Sequence, residues 1–187
     1  MRQHSPADKL TLIFFHQQPQ DIHPDLIPLN LLERARSLSP DLIAIRRDLH
    51  RHPELSFKEV RTAGIAAEAM KALGFDVRTG VGQTGVVADL DAGPGPVVAL
   101  RADMDALPIQ ETNEHDFVST TSGVMHACGH DGHVAGLIGA ARLLASERDA
   151  GRLPPGRIRF LFQPSEERTD EEGLSGAMRM VSDGAMD

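Results

Sequence analysis

The sequence predicts an α/β fold: a mixed, largely parallel sheet with helices on both faces. Two observations carry that expectation. From Val97 to Ile158 the pattern reads strand, crossover helix, strand, a unit that is parallel and right-handed and belongs to a sheet covered on both sides. Ahead of the crossover helix, helical spacing of apolar residues gives way to three short strand-like runs, the last of them the unit's own first strand.

Residues 1–28 read as an irregular leader, with Gln17, Gln18, Pro19 and Gln20 followed by Pro24 and Pro28. A helix is expected from Ser39-Pro40, Ser39 as N-cap and Pro40 at the first helical position, with Leu42, Ile45 and Leu49 on its apolar stripe and Pro53 at its end. A second helix spans about Lys58 to Leu73, with Gly74 as its C-cap. The strands follow at Phe75–Thr79, Gly85–Leu90 and Pro96–Ala102. The last two are joined by Asp91-Ala92-Gly93-Pro94-Gly95, a connection of hairpin length. A polar loop then leads to about Met125. The crossover helix is expected from about His130 to Ser146, with Val134, Ile138, Ala141 and Ala145 on one face. After Pro154-Pro155-Gly156, Arg157 to Gln163 alternates as a strand around Ile158, Phe160 and Phe162, and a last helix is expected near Gly173.

Composition narrows the function classes. The 187 residues are 41% hydrophobic and 25% charged, as in an ordinary globular protein. A net charge of −8 without a Lys/Arg cluster argues against a nucleic-acid surface. Without Trp or Tyr, a base-stacking platform is unexpected too. The single cysteine, Cys128, excludes an intramolecular disulfide. The longest apolar run near the start, Leu10 to Phe15, is too short for a signal-peptide core or a membrane span, so a cytoplasmic protein with no membrane partner is expected.

In open α/β sheets ligands gather at the carboxyl ends of strands, and three polar clusters fall there. Asp103 and Asp105 follow the Val97 strand. Met125-His126-Ala127-Cys128-Gly129-His130-Asp131-Gly132-His133 enters the crossover helix. Glu166 and Glu167 follow the strand ending at Gln163. Cys128 and His130, one glycine apart, put a thiol and an imidazole within reach of one metal ion, and the nearby helix N-terminus is expected to lower the thiol pKa. Sulfur, imidazole and carboxylate together suit zinc, with manganese, cobalt or nickel tolerable. A lone cysteine is more often a small buried hydrophobe; the density of ionisable groups around Cys128 favours the metal. Glu166 and Glu167, adjacent in a loop, point in different directions, so one carboxylate can bind metal while the other acts as base. Asp103 and Asp105 could orient a ligand, bind metal themselves, or serve only as turn formers. His50 and His52 read as structural groups at a helix end. His4, His16, His23 and His115 lie in irregular segments and are assigned nothing.

With these residues in view, the chain resembles the zinc-dependent aminoacylase and carboxypeptidase family of metallopeptidases, in its hippurate hydrolase branch of N-acyl-amino-acid and auxin-conjugate amidohydrolases. The resemblance runs from about Leu42 to the end. It rests on Arg46 to Ser56 (RRDLHRHPELS), Ala99 to Pro108 (ALRADMDALP), Met125 to His133 (MHACGHDGH) and Phe162 to Glu167 (FQPSEE). It implies the N-terminal portion of a di-zinc exopeptidase-like catalytic domain, with Cys128, His130 and Glu167 as metal ligands, Glu166 as catalytic general base and Asp105 as at most a supporting group. Other branches carry a histidine at the position of Asp103; here Cys128 would supply that ligation. The implied cofactors are two divalent metal ions, and the implied partner is a small N-acyl amino acid substrate, with a homo-oligomer in the full-length enzyme. Such enzymes also have two further histidine ligands downstream, an inserted dimerisation domain and a return to the catalytic domain. After His133 this sequence has no histidine. The domain expectation is therefore a leader at 1–28 and a partial metallohydrolase catalytic domain at 29–187, in a truncated or fragmentary gene product. The competing expectations are a dipeptidase or carboxypeptidase of the same family and a non-catalytic metal-binding relative.

Overall fold

In the computed structural model, residues 29–187 are described; the irregular leader and the Leu10–Phe15 run lie outside them. The elements in chain order are α1 (Leu29–Arg51), α2 (Val60–Ala72), β1 (Asp76–Val81), β2 (Gly85–Asp91), β3 (Val97–Asp103), α3 (His130–Asp149), β4 (Arg157–Gln163) and α4 (Gly176–Ser182). None of these helices is long and apolar enough to cross a membrane.

The sheet order is β1-β2-β4-β3. Strand β4 runs parallel to β3 and antiparallel to β2, and β1 is antiparallel to β2. The sheet is thus mixed, and β3–α3–β4 is the expected parallel crossover. The short Asp91–Gly95 connection, however, does not make a hairpin, because β4 is inserted between β2 and β3. The burial of β4 accounts for this: Arg159 to Gln163 are buried throughout, a strand covered on both faces that needs a neighbour on each edge. The turn is locked to the start of β4 by Ala92 N–H to Gly156 O (2.9 Å) and Arg157 N–H to Pro96 O (2.9 Å).

Helices α1, α2 and α3 cover one face. Their core joins Leu49, Ala66, Met70, Val134, Ile138 and Ala141 to Val86, Ala88, Phe160 and Phe162. Each of the two fully buried phenylalanines contributes about 1.5–3 kcal/mol of apolar burial. On the opposite face Val87 and Leu161 meet Met180 and Ala185 beyond them, so helices flank the sheet on both sides. The four apolar positions expected to face inward on α3 are all buried.

Helix α1 departs from expectation. It begins before Ser39 and continues through Pro40, which removes one backbone donor. The carbonyl left without that partner belongs to Arg36, which is exposed like Pro40, so water can reach it and the interruption is tolerated. Helix α2 ends as expected: Leu73 is the C-cap and Gly74 follows at φ +74°. Its start is closed by a carboxylate that precedes it in the chain. Glu54 accepts hydrogen bonds from Arg61 N–H (2.9 Å), Thr62 N–H (2.8 Å) and Thr62 Oγ1 (2.9 Å). That anchors the His50–Ser56 segment beneath the sheet edge where β3 and β4 end together, Asp103 paired with Gln163.

Candidate metal centre

Parallel pairing puts Asp105, the start of α3 and the Glu166-Glu167 loop at one edge. Asp105, 1% exposed, organises all three. Its Oδ1 accepts from Glu166 N–H (3.1 Å), and its Oδ2 accepts from Glu167 N–H (3.0 Å) and Ser56 Oγ (2.7 Å). His130 Nδ1 lies 2.8 Å from the Asp105 carbonyl oxygen and 3.3 Å from its Oδ1. Burial raises the Asp105 pKa, but the hydrogen bonds from His130, Ser56 and the two backbone amides outweigh it and hold the carboxyl down at about 2.

The glutamate loop is fixed from below. Ser165 has a left-handed φ of +44°, held by its N–H to Glu59 Oε1 (2.9 Å) and its Oγ to Arg168 O (2.7 Å). Glu59 is fully buried and accepts from Thr84 Oγ1 at 2.5 Å; burial raises its pKa against these hydrogen bonds. Gly176 closes the loop from the other side, donating to Ser165 O at 3.0 Å. A Cβ there would lie 1.7 Å from Pro164 O, so only glycine fits.

On the opposite wall, Gly129 takes a left-handed φ of +81° as N-cap of α3, turning the chain tightly between Cys128 and His130. His130 is 4% exposed. With Nδ1–H donated to the Asp105 carbonyl, Nε2 turns toward the glutamates, 4.0 Å from Glu166 Oε2 and 3.9 Å from Glu167 Oε1. Those gaps are too long for hydrogen bonds. They suit donors grouped around one ion, where metal–ligand bonds of about 2.0–2.2 Å put neighbouring donors somewhat more than 3 Å apart. Glu167 Oε1 is buried without a hydrogen-bond partner. His130, Glu166 and Glu167 can therefore offer one donor each to a common ion, and this set fits a divalent metal. Burial lowers the His130 pKa, but its hydrogen bonds to Asp105 and the nearby carboxylate charge reverse that and raise it to about 9. A metal at Nε2 would replace that second proton.

Cys128 is exposed beside this group, and the expected lowering of its pKa is overturned. The hydrogen bond to Glu167 first, then burial and the charges of Glu167 and Glu166, push the thiol up to about 11. A hydrogen-bonding carboxylate and a second one nearby outweigh the diffuse field of a helix end. Cys128 reaches Glu167 but lies outside the three-donor group. Asp103 is buried, with Arg101 Nε at 3.2 Å from Oδ1 and His133 Nδ1 at 3.6 Å from Oδ2. Asp103, His130 and His133 form a second potential donor group adjoining the first. His133 carried no assignment from the sequence; its position three residues after His130, on the same helix face, was the available signal.

Residues 99–187 match the family described as Peptidase family M20/M25/M40. The chain carries a domain of this family. The chain is 50% identical over 147 residues to thermostable carboxypeptidase 2 of Saccharolobus solfataricus, covering 78% of itself and 36% of that protein. It is 51% identical over 148 residues to the N-acyl-L-amino acid amidohydrolase of Geobacillus stearothermophilus, covering 79% and 38%. A crystal structure from Bacillus subtilis, described as a dinuclear metal binding peptidase from the M20 family, superposes with a TM-score of 0.72 at 41% identity, over 81% of this chain and 41% of that one. The chain thus spans about two fifths of the length of these relatives.

Proposed function

We propose that residues 29–187 are the metal-binding part of the catalytic domain of a metal-dependent amidohydrolase that cuts the amide bond of N-acyl amino acids. The observation that carries this reading is His130 Nε2 opening onto Glu166 and Glu167, with Glu167 Oε1 buried and unpartnered. Cys128, His130 and Glu167 hold divalent metal, Cys128 as thiolate once the ion displaces its proton. The M20 relative described as dinuclear supports a pair of ions, of which zinc, manganese, cobalt and nickel suit the donors. When bound, such ions acidify water and polarise a carbonyl oxygen.

Glu166 is the general base. Its side chain is 43% exposed against 19% for Glu167, so it is the one open to solvent and substrate while Glu167 turns inward. Glu166 takes the proton of the water that attacks the acyl carbon, and returns it to the amine nitrogen as the C–N bond breaks. Asp105 keeps both glutamate amides and His130 in register through that exchange. The relative described as an N-acyl-L-amino acid amidohydrolase supports the substrate class; the one described as a carboxypeptidase supports peptide cleavage as the second reading.

A panel of N-acyl amino acids and dipeptides, assayed beside bound metal, tests this. Glu166→Gln should lower turnover by about 10²-fold or more at unchanged metal content, and Cys128→Ala should deplete metal. Metal loss in Glu166→Gln would exchange the two glutamates' roles. Cleavage of dipeptides alone would assign a carboxypeptidase or dipeptidase, and metal binding without hydrolysis a non-catalytic relative.

A further inference from the structure

A second histidine–carboxylate cluster lies behind the first turn of α3. His50, near the end of α1 and 3% exposed, sits between two buried carboxylates. Its Nδ1 is 2.8 Å from Asp131 Oδ2 and its Nε2 is 3.2 Å from Glu111 Oε1. His115 Nε2 lies 3.2 Å from the same Oε1. Glu111 is fixed by Ser119 N–H to Oε2 (2.6 Å) and Asn113 Nδ2 to Oε1 (3.0 Å). Phe117 stacks on the His115 ring at 3.7 Å and meets His50 edge-on at 5.5 Å.

The proton count on His50 is informative. Asp131, which also holds Arg46 Nε at 2.7 Å, only accepts, so His50 Nδ1 carries a hydrogen. Its Nε2 then meets Glu111 Oε1 as one lone pair facing another, unless a second proton or another cation lies between them. His115 Nε2 faces the same oxygen, and its Nδ1 has no hydrogen-bond partner, so this ring is free to turn a lone pair toward the shared position. A carboxylate holding the far nitrogen of an imidazole, so that the near one points at a shared position, is how metal-bound histidines are oriented. Two imidazoles and a carboxylate form a donor set suited to zinc, and 3.2 Å is close to the edge of a tetrahedron with bonds of about 2.0–2.2 Å.

We propose that His50, Glu111 and His115 form a separate, structural site for a divalent transition-metal ion such as zinc, tying the end of α1 to the loop before α3. The His115 side chain is 31% exposed, which gives the ion a route in from solvent. Binding cross-links the two segments, reinforcing the hydrogen bonds and the Phe117 ring contacts between them.

The test is zinc content by mass spectrometry on the 187-residue chain after loading and desalting, with cobalt(II) spectra alongside. In a chain carrying Cys128→Ala and Glu167→Gln, zinc should persist, and adding His115→Ala should lower it by about one ion per chain. In the otherwise unaltered chain, His115→Ala should remove the same amount while the thiolate-to-cobalt absorption of Cys128 remains. Glu111→Gln should repeat the loss; where it fails to fold, the more exposed His115 still decides. Zinc content unaffected by His115→Ala in either background overturns the proposal. Loss of the cobalt–thiolate band in Cys128→Ala tests the first site independently, so the two failures are distinguishable.

Discussion

The two histidine–carboxylate clusters differ first in how their donors are spaced. Around His130 the imidazole and the glutamates stand 3.9–4.0 Å apart, with Glu166 open to solvent and Glu167 Oε1 unpartnered. Around His50 the donors close to 3.2 Å, and Glu111 Oε1 already receives Asn113. The first arrangement leaves Glu166 open to water and further ligands; the second is more tightly gathered, open to solvent at the His115 edge. The same residue types therefore support different tasks, depending on how far the backbone holds them apart. His126 lies between the clusters, 2% exposed with neither ring nitrogen hydrogen-bonded.

The largest expected effect is on the hub of the open cluster. Asp105→Ala strips the partners from Glu166 N–H, Glu167 N–H, Ser56 Oγ and His130 together. Breaking a buried pair of this kind costs about 3–5 kcal/mol. Urea denaturation should show that loss, and metal content should fall with it. A variant as stable as the parent would mean the two glutamates are held by something other than Asp105. Glu59→Gln, beneath the same loop, should cost about 1–3 kcal/mol by disturbing the acceptors of Ser165 N–H and Thr84 Oγ1.

The pH response should separate the groups further. His130 is raised from 6.5 to about 9, so in metal-free chain its contribution to stability is fully present below pH 6.5 and lost as pH rises through 9. His126 is lowered to about 4, by burial before any charge, so the unfolded chain takes up its proton first and stability falls as pH drops from 6.5 to 4. Asp105, lowered from 3.8 to about 2, gives stability that is present above pH 3.8 and lost as pH falls through 2. From these groups, metal-free chain should be most stable near pH 6.5. His126→Phe should flatten the acid side between pH 4 and 6.5 while leaving the alkaline side; an unchanged acid slope would assign it to other groups. The smallest effect belongs to the exposed Lys71–Glu68 pair on α2, at 2.9 Å, where Glu68→Ala should change stability by about 0.5 kcal/mol or less.

The sequence by itself determined the strand–helix–strand unit, the inward face of α3 and the strand at Arg157–Gln163, because those signals are periodic and local. It also brought Asp105, Cys128, His130, Glu166 and Glu167 to one edge, since the carboxyl ends of parallel strands must coincide. Tertiary structure decided the rest. β4 entered between β2 and β3 because a strand buried on both faces needs two neighbours, which a connection of hairpin length does not reveal. α1 ran through Pro40 because the freed carbonyl faces water there. The Cys128 thiol rose rather than fell because Glu167, 39 positions away in the sequence, sits in contact with it. His115 acquired its long-range partner for the same reason: Glu111 is only four positions upstream, but His50 reaches this loop only after α1 has packed on α3. Spacing along the chain gives the chemistry available, and the distances between separate segments decide which of those groups act together.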